Sequence, residues 1–473
     1  MSAQRFLAGG RWLESDRRVT VRNPWNGRTA SEVFLASGED IRDAVCGAAE
    51  AFGKTRFLQA YERAGILNRI AAEVEASAEC FARTITDETG KPISYSRTEV
   101  DRSVFTFRTA AQEATRMEGS VLPLDLAPHS RSRTGILRRF PLGPVAAITP
   151  FNFPLNLVAH KVAPAIAVGN TVLLKPSSSA PLTALLLGAI IHESGLPPGA
   201  LSVLPGPGAE MGQLIESPEV KLISFTGSPG VGWDLKARAG KKKIVLELGG
   251  NAAVVVDESA DLDFAIGRIL PGAFGNAGQS CIAVQRIYVH RALYAEFERR
   301  LLDSVACLAV GDPGDEKTVV GPMIDEKAAR QAEEWVREAL GGGARLLAGG
   351  TREGALLHPT VLSHVSREMK VHSAEVFAPV VTIAPFDTME EAIALVNDSC
   401  YGLQAGIFTA DIRRAFQAYG EMEVGGVVVN DVPTYRIDHM PYGGIKDSGF
   451  GREGIRYAME GMTELKLLVL NLA

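Results

Sequence analysis

Cys281 closes the run Gly275-Asn276-Ala277-Gly278-Gln279-Ser280-Cys281, a turn rich in glycine, amide and hydroxyl side chains. Main-chain N–H groups in such a turn can point at the sulfur, the setting of a nucleophile whose oxyanion product needs donors. Glu247 ends an apolar run and is followed by Gly249-Gly250-Asn251. A carboxylate at the carboxyl end of a strand lies where α/β sheets place their ligands, and a raised pKa there suits a general base. Asn152 stands in Pro150-Phe151-Asn152-Phe153-Pro154, where two prolines fix the loop and the amide is a donor that cannot be deprotonated. Each residue also has a plain structural reading: a buried inert thiol, a solvated strand-end acid and an Asx-turn.

Two further segments suit a phosphorylated ligand. Phe225-Thr226-Gly227-Ser228-Pro229-Gly230-Val231-Gly232 is a glycine-rich passage from strand to helix, whose amides favour a phosphate. It is not the G-x-G-x-x-G fingerprint. Lys175-Pro176-Ser177 ends another apolar run and can hydrogen-bond a ribose or form an ordinary turn.

These residues need elements to hold them. From Glu39 to Met117 apolar residues recur at three- and four-residue spacing, and Gly90-Lys91-Pro92 breaks the helices. From Pro144 short apolar strands (Val145–Thr149, Thr171–Leu174, Leu201–Leu204, Leu222–Phe225, Ile244–Leu248, Ala253–Val256) alternate with helix-like stretches. That alternation predicts a parallel sheet covered on both faces. A second alternating region from Leu262 to Val429 predicts a second α/β domain. Val121–Phe140 and the strand Glu464–Leu470 fit neither block and leave sheet edges unless they pair with each other or with another chain.

The chain has 473 residues, 46% of them hydrophobic and 22% charged, with 49 Lys and Arg against 55 Asp and Glu. A net charge of −6 and no basic run beyond Lys241-Lys242-Lys243 argue against a nucleic-acid partner. No apolar stretch is long enough for a membrane span, and the first residues lack the apolar core of a secretory signal. Cys46, Cys80, Cys281, Cys307 and Cys400 form no C-x-x-C and have no histidine at zinc-ligand spacing, so no metal is expected. The reading is a cytoplasmic protein in which most of these cysteines are buried small hydrophobes.

Taken in order, these segments resemble the NAD(P)-dependent aldehyde dehydrogenase superfamily over nearly the whole chain, from Leu7-Ala8-Gly9-Gly10 and Asn23-Pro24 to the last strand. Thr149–Pro154 resembles its oxyanion loop, Lys175-Pro176-Ser177 its adenosine-ribose motif and Phe225–Gly232 its pyrophosphate turn. Glu247-Leu248-Gly249-Gly250 and Gly278–Cys281 are similar to its two active-site signatures. Glu375-Val376-Phe377-Ala378-Pro379 and Pro441–Gly449 resemble its nicotinamide-side and C-terminal motifs.

The resemblance implies a cofactor domain (1–122 and 142–249), a catalytic domain (250–446), a small β oligomerisation element (123–141 and 462–473) and a return segment (447–461). It implies a homodimer or homotetramer. It also implies that Cys281 attacks an aldehyde, that Asn152 and the Cys281 N–H hold the oxyanion, and that hydride then leaves for the nicotinamide. Glu247 would activate the water that releases the acid, and Lys161 with Glu453 would form a second proton route. Members that transfer the acyl group to coenzyme A generally lack this glutamate, so its presence favours hydrolysis over that alternative. A semialdehyde or aromatic aldehyde dehydrogenase on the same fold is a further alternative, and a non-enzymatic dinucleotide-binding protein is another, against which Cys281, Glu247 and Asn152 stand together.

Cofactor contacts implied by the resemblance are Thr149, Pro150, Lys175, Ser178, Gly208, Phe225, Gly227, Ser228, Leu248, Glu375 and Phe377. Many NAD-preferring members carry an acid three residues after the lysine. Ser178 stands there and leaves room for a 2′-phosphate, so NADP is expected to be accepted, alone or beside NAD. The aldehyde tunnel would include Phe105, Asn156, His160, Ser280, Ile282, Tyr435, Arg436 and His439, a polar set suited to a small aldehyde. The run Asn430–Met440 resembles the lactaldehyde and phosphonoacetaldehyde dehydrogenase branch. Arg436 can pair bidentately with an anionic substrate or form a structural salt bridge; Ser280 departs from the arginine that phosphorylated-triose members carry there.

Overall fold

The computed structural model describes residues 3–472. Helices Gly38–Thr55, Ala60–Ala76, Ala78–Thr89 and Ile93–Ala114 fill the helical N-terminal region, with Gly90 in a left-handed conformation at the break. Two large sheets follow. The first has eight strands in the spatial order Arg11–Leu13, Phe6–Ala8, Leu201–Val203, Thr171–Lys175, Pro144–Ile148, Leu222–Thr226, Lys243–Glu247 and Gly449–Phe450. Its five central strands are parallel and the flanking strands antiparallel. Val145, Leu173, Leu222 and Leu246 on these strands are fully buried, the near-continuous apolar texture of a sheet covered on both faces.

From Pro144–Ile148 the chain adds strands first on one side, Thr171–Lys175 and Leu201–Val203, and then on the other, Leu222–Thr226 and Lys243–Glu247. The order therefore reverses beside Pro144–Ile148. A crevice opens beyond the carboxyl ends of strands at such a reversal, because the flanking crossovers depart in opposite directions. Register brings Ile148 beside Lys175 and Phe225, and Thr226 beside Glu247. The loops that carry Asn152, Lys175, Ser228 and Glu247 thus share one end of the sheet.

The second sheet has seven strands in the order Arg345–Ala348, Thr360–Ser363, Val380–Phe386, Val284–His290, Ala252–Val256, Gln404–Phe408 and Gly426–Val429. All are parallel except the first. Residues Thr463–Asn471 pair antiparallel with Arg133–Pro141 through nine residues, and Arg133–Pro141 pairs with Ser120–Pro123. The two segments that fitted neither block therefore form one small sheet. Its strand Thr463–Asn471 keeps a free edge and exposes Leu465, Leu467, Leu468 and Val469.

The cysteines correct one expectation. All five are free, and Cys46, Cys80, Cys307 and Cys400 are exposed, because they fall on helix faces, a helix end and a turn that the apolar stripes leave outside. Among the described residues no helix is long and apolar enough to cross a membrane, and no cluster of His, Cys, Asp or Glu has metal-ligand geometry.

Candidate active site

Between the first sheet's strand ends and the second sheet lies a cavity of about 680 Å³. Asn152, Ser280, Cys281, Glu375, Phe377, Arg436 and Tyr442 all line it. Cys281 arrives there at the end of a tight turn. The helix Leu262–Phe274, begun by an Asp261 cap, runs into Gly275–Gly278, where Asn276 (φ 53°) and Ala277 (φ 54°) are left-handed. Such conformations in non-glycine residues cost about 1–3 kcal/mol and persist only where packing holds them. Gly250 supplies part of that packing: a Cβ there would stand 2.0 Å from the Cys281 carbonyl oxygen. The second glycine of Glu247-Leu248-Gly249-Gly250 is therefore what lets the cysteine turn lie against the glutamate strand.

Cys281 Sγ lies 3.2 Å from the Tyr442 hydroxyl. Burial pushes its thiol up to about 12, against which the Tyr442 hydrogen bond and the Arg436 charge act downward. Among the described residues the Cys281 backbone N–H has no protein acceptor. Asn152 donates through Nδ2 to the Gln279 carbonyl at 3.0 Å, one of the two hydrogens that nitrogen carries.

Glu247 is buried just outside the cavity lining, and neither carboxylate oxygen has a hydrogen-bond partner. Burial raises its pKa well above the usual carboxylate range, and the nearby Glu453 charge adds to the rise. A Cβ at Gly443 would come within 2.9 Å of its Oε1. Glu453 behaves oppositely. Although buried, it accepts from Lys161 Nζ at 3.0 Å and Arg436 at 3.1 Å, and those cations bring it down to about 2. Two carboxylates near one another are thus driven apart, one poised to hold a proton and one kept as an anion.

Arg436 is only 6% exposed, lies 3.7 Å over the Tyr442 ring and leaves its Nε without a partner. It is paired with Glu453 rather than with Asp438, whose nearest approach is 3.9 Å. Asp438 instead accepts from Arg102, Asn156 and His160. Arg102 and Arg268 also line the cavity, with Lys91 and Thr434. Glu99 fixes the cavity's back wall: its Oε1 accepts from the Leu155 and Asn156 N–H groups at the start of helix Asn156–Val168, while Lys91 holds its other oxygen. A buried acid at a helix N-terminus satisfies orphan donors there.

Not every expected tunnel residue arrives. Asn156, Ser280, Ile282 and Arg436 line the cavity. His160 and Tyr435, expected among the tunnel residues, do not line the cavity. His160 is fully buried behind Arg436, its ring held at 2.7 Å from Asp438, and Tyr435 is 48% exposed, outside the cavity lining. Phe105 and His439 pack edge-on against each other, also outside it. Sequence reading did not single out Arg102, Asp438, Glu99 or the Tyr442 hydroxyl as parts of a site. Apart from Lys91, eight residues before Glu99, their partners lie far away in the chain, so no local spacing marks them.

Of the expected cofactor positions, Pro150, Gly227, Ser228, Leu248, Glu375 and Phe377 line the same cavity. Thr149, Lys175, Ser178, Gly208 and Phe225 lie outside its lining, along the neighbouring strand ends and loops. Glu375 accepts from the Gly250 N–H at 3.0 Å, and burial raises it to about 7. Burial lowers Lys175 to about 8, and Ser178 Oγ donates to the Gly206 carbonyl at 3.1 Å. The hydroxyls of Thr149 and Thr226 are buried without partners, and helix Pro229–Arg238 starts at Ser228 with no side-chain cap. Orphan hydroxyls beside an uncapped helix N-terminus are groups that a phosphorylated dinucleotide satisfies.

The profile of the Aldehyde dehydrogenase family matches residues 12–468. The chain is similar to a 3-sulfolactaldehyde dehydrogenase from Priestia megaterium, with 47% identity over 468 residues covering 99% of this chain and 98% of that one. Among solved structures it resembles aldehyde dehydrogenase 21 from Physcomitrella patens in complex with the reaction product succinate (46% identity, TM-score 0.97, 99% and 98% of the two chains). It also resembles an NADP-dependent glyceraldehyde-3-phosphate dehydrogenase from Bacillus halodurans C-125 complexed with NADP (36% identity, TM-score 0.97, 100% of each chain).

Proposed function

This chain belongs to the aldehyde dehydrogenase family and is an NAD(P)-dependent aldehyde dehydrogenase; on that premise we propose that it oxidises a short anionic aldehyde to the carboxylic acid through a thioester on Cys281. The observation that carries the substrate class is the cavity wall. Arg102, Arg268, Arg436 and Lys91 line the same cavity as Cys281, each also paired with a carboxylate (Asp438, Asp431, Glu453 and Glu99). Guanidinium groups in a partly desolvated cleft select a carboxylate or sulfonate end. The succinate and 3-sulfolactaldehyde of the similar proteins belong to that class.

In this reading the Cys281 thiolate attacks the aldehyde carbon. Asn152 Nδ2 and the Cys281 N–H receive the developing oxyanion. NAD(P), when bound, supplies the acceptor for the aldehyde's hydride. Lys175 and Ser178 would hold its adenosine ribose, and Ser228 with the helix that follows its pyrophosphate. Glu375 would hold the nicotinamide ribose, beside Phe377. Glu247 takes the proton from the water that hydrolyses the thioester; a buried carboxylate free of donors, with raised proton affinity, suits that task. Lys161 and Glu453 form a buried ion pair behind it that can pass the proton onward.

Three finer statements belong to the same proposal. NADP is accepted, because Ser178 puts no carboxylate beside the ribose. The protein is a homodimer or homotetramer that covers the exposed leucines of Thr463–Asn471. It works in the cytoplasm, a reducing compartment consistent with five free cysteines.

The test is nicotinamide reduction with NAD and NADP separately, on succinate semialdehyde, 3-sulfolactaldehyde, lactaldehyde and butanal, with Cys281→Ala as control. Preference for the two anionic aldehydes, lost in the variant, is the expected result. Equal turnover of butanal overturns the substrate class, and dependence on added coenzyme A overturns hydrolysis.

A further inference from the structure

Tyr442 carries the only side-chain hydroxyl that the described residues bring within hydrogen-bond distance of Cys281 Sγ, at 3.2 Å. Its ring is held from two sides. The Tyr442 N–H donates to the Glu453 carbonyl at 3.1 Å, and the Glu453 N–H returns the bond at 2.7 Å. The Glu453 carboxylate then accepts from Arg436 at 3.1 Å, and the Arg436 guanidinium lies 3.7 Å over the Tyr442 ring. Backbone bridge, ion pair and stack close a loop that leaves the phenol little freedom.

We propose that Tyr442 is a catalytic residue whose hydroxyl donates to the Cys281 thiolate, and that Arg436 is a positioning residue that strengthens this donor from the ring face. The proposal rests on the reading of Cys281 as the nucleophile. The positive charge over the ring favours negative charge on the phenol oxygen and so strengthens the O–H as a donor, acting against burial, which raises the Tyr442 pKa well above the usual tyrosine value. No bond is made or broken at Tyr442. The thiol proton leaves to solvent water, the phenol keeps its own proton, and the charge left on sulfur is shared through the hydrogen bond.

The surroundings explain why such a donor is needed. Burial and the charges of Glu247 and Glu375 all oppose a thiolate at this position. Glu247 ends a strand of the first sheet, and Glu375 lies in the loop before the second sheet's strand Val380–Phe386. The groups favouring the anion are Tyr442 and Arg436; around Arg436 stand Glu453, Asp438 and His160, and Lys161 lies beyond Glu453. With the sulfur half-buried and two acids near it, a pre-oriented hydroxyl and one guanidinium offset them. Each tenfold gain in thiolate fraction costs about threefold in nucleophilicity, since reactivity follows pKa with a slope of about 0.4–0.5, so the net gain is about threefold per unit.

The experiment follows alkylation of Cys281 by iodoacetamide against pH in the full-length protein without cofactor, scored by mass spectrometry of the Cys281 peptide so that the exposed cysteines do not interfere. In Tyr442→Phe, which keeps the ring and its stack, the pH midpoint is expected to rise by about one unit, with the thiolate fraction at neutral pH falling about tenfold. Arg436→Met is expected to raise it too, and by less when Tyr442 is already Phe. An unchanged midpoint in Tyr442→Phe overturns the proposal. A shift from Arg436→Met that is the same in both backgrounds overturns the role of Arg436 through the ring. Full aldehyde turnover by Cys281→Ala would overturn the nucleophile reading instead, a result the alkylation assay does not produce.

Discussion

Asp438 accepts from Arg102 through Nε at 3.1 Å and Nη2 at 2.7 Å, a forked pair joining residues 336 positions apart. The same carboxylate holds His160 at 2.7 Å and Asn156 at 3.1 Å. One buried acid thus ties the N-terminal helices, the helix behind the oxyanion loop and the cavity-lining loop Asn430–Met440 together. Removing one partner of a buried pair costs about 3–5 kcal/mol, because the other charge is left desolvated. Asp438→Ala is expected to lower the denaturation midpoint clearly, measured by denaturant titration.

Arg102, like Arg268, lines the cavity without touching Cys281, Tyr442 or Arg436, although its loss also withdraws the fork from Asp438. A charge-assisted hydrogen bond is worth about 1.5–3 kcal/mol. Arg102→Met is therefore expected to reduce kcat/KM for succinate semialdehyde by about 10- to 100-fold, while butanal changes little. Steady-state kinetics on the two aldehydes checks it.

Glu247 must be ionised to act as a base, and burial with the neighbouring Glu453 raises its pKa. The acid-forming rate is expected to rise with pH as Glu247 loses its proton and then level off. Glu247→Gln should cut steady-state acid formation by about 10²–10⁴-fold. A first-turnover burst of nicotinamide reduction should survive, as stopped-flow absorbance would record.

Glu88 is buried at the start of helix Leu182–Glu193, where it accepts from the Leu182 and Thr183 N–H groups, yet burial raises it from 4.5 to about 7. Between those values the folded chain keeps a proton that the unfolded chain releases. Its contribution is full below about 4.5 and is lost as pH rises to about 7, by up to about 3 kcal/mol. Glu88→Gln should flatten that part of the stability profile, measured by denaturation at several pH values.

The strand Thr463–Asn471 exposes Leu465, Leu467 and Val469 on one face and Leu468 on the other, each about half accessible. Apolar residues on both faces of a strand with a free edge call for a second copy. Leu467→Asp with Leu468→Asp is expected to shift the protein to a smaller species by light scattering, with Cys281 chemistry retained in any species that stays folded.

Much of this was legible in one dimension because the physics is local. Continuous apolar runs marked the parallel strands, Gly90-Lys91-Pro92 marked the helix break, and the placing of Cys281, Glu247 and Asn152 in turns at element ends marked them as candidates for chemistry. The pairing of Thr463–Asn471 with Arg133–Pro141 was open to inference because both segments lacked other partners. Tertiary structure decided what depends on distant charge and on the space left by packing. His160 and Tyr435 read as substrate contacts, yet Asp438 draws one behind Arg436 and the other stands outside the cavity. Most of the cysteines read as buried, yet four of the five lie on outer faces. Whether Arg436 met Asp438 or Glu453 followed from the antiparallel bridge between Tyr442 and Glu453. That bridge carries no sequence spacing of its own, and it is what sets a guanidinium against the ring beside the nucleophile.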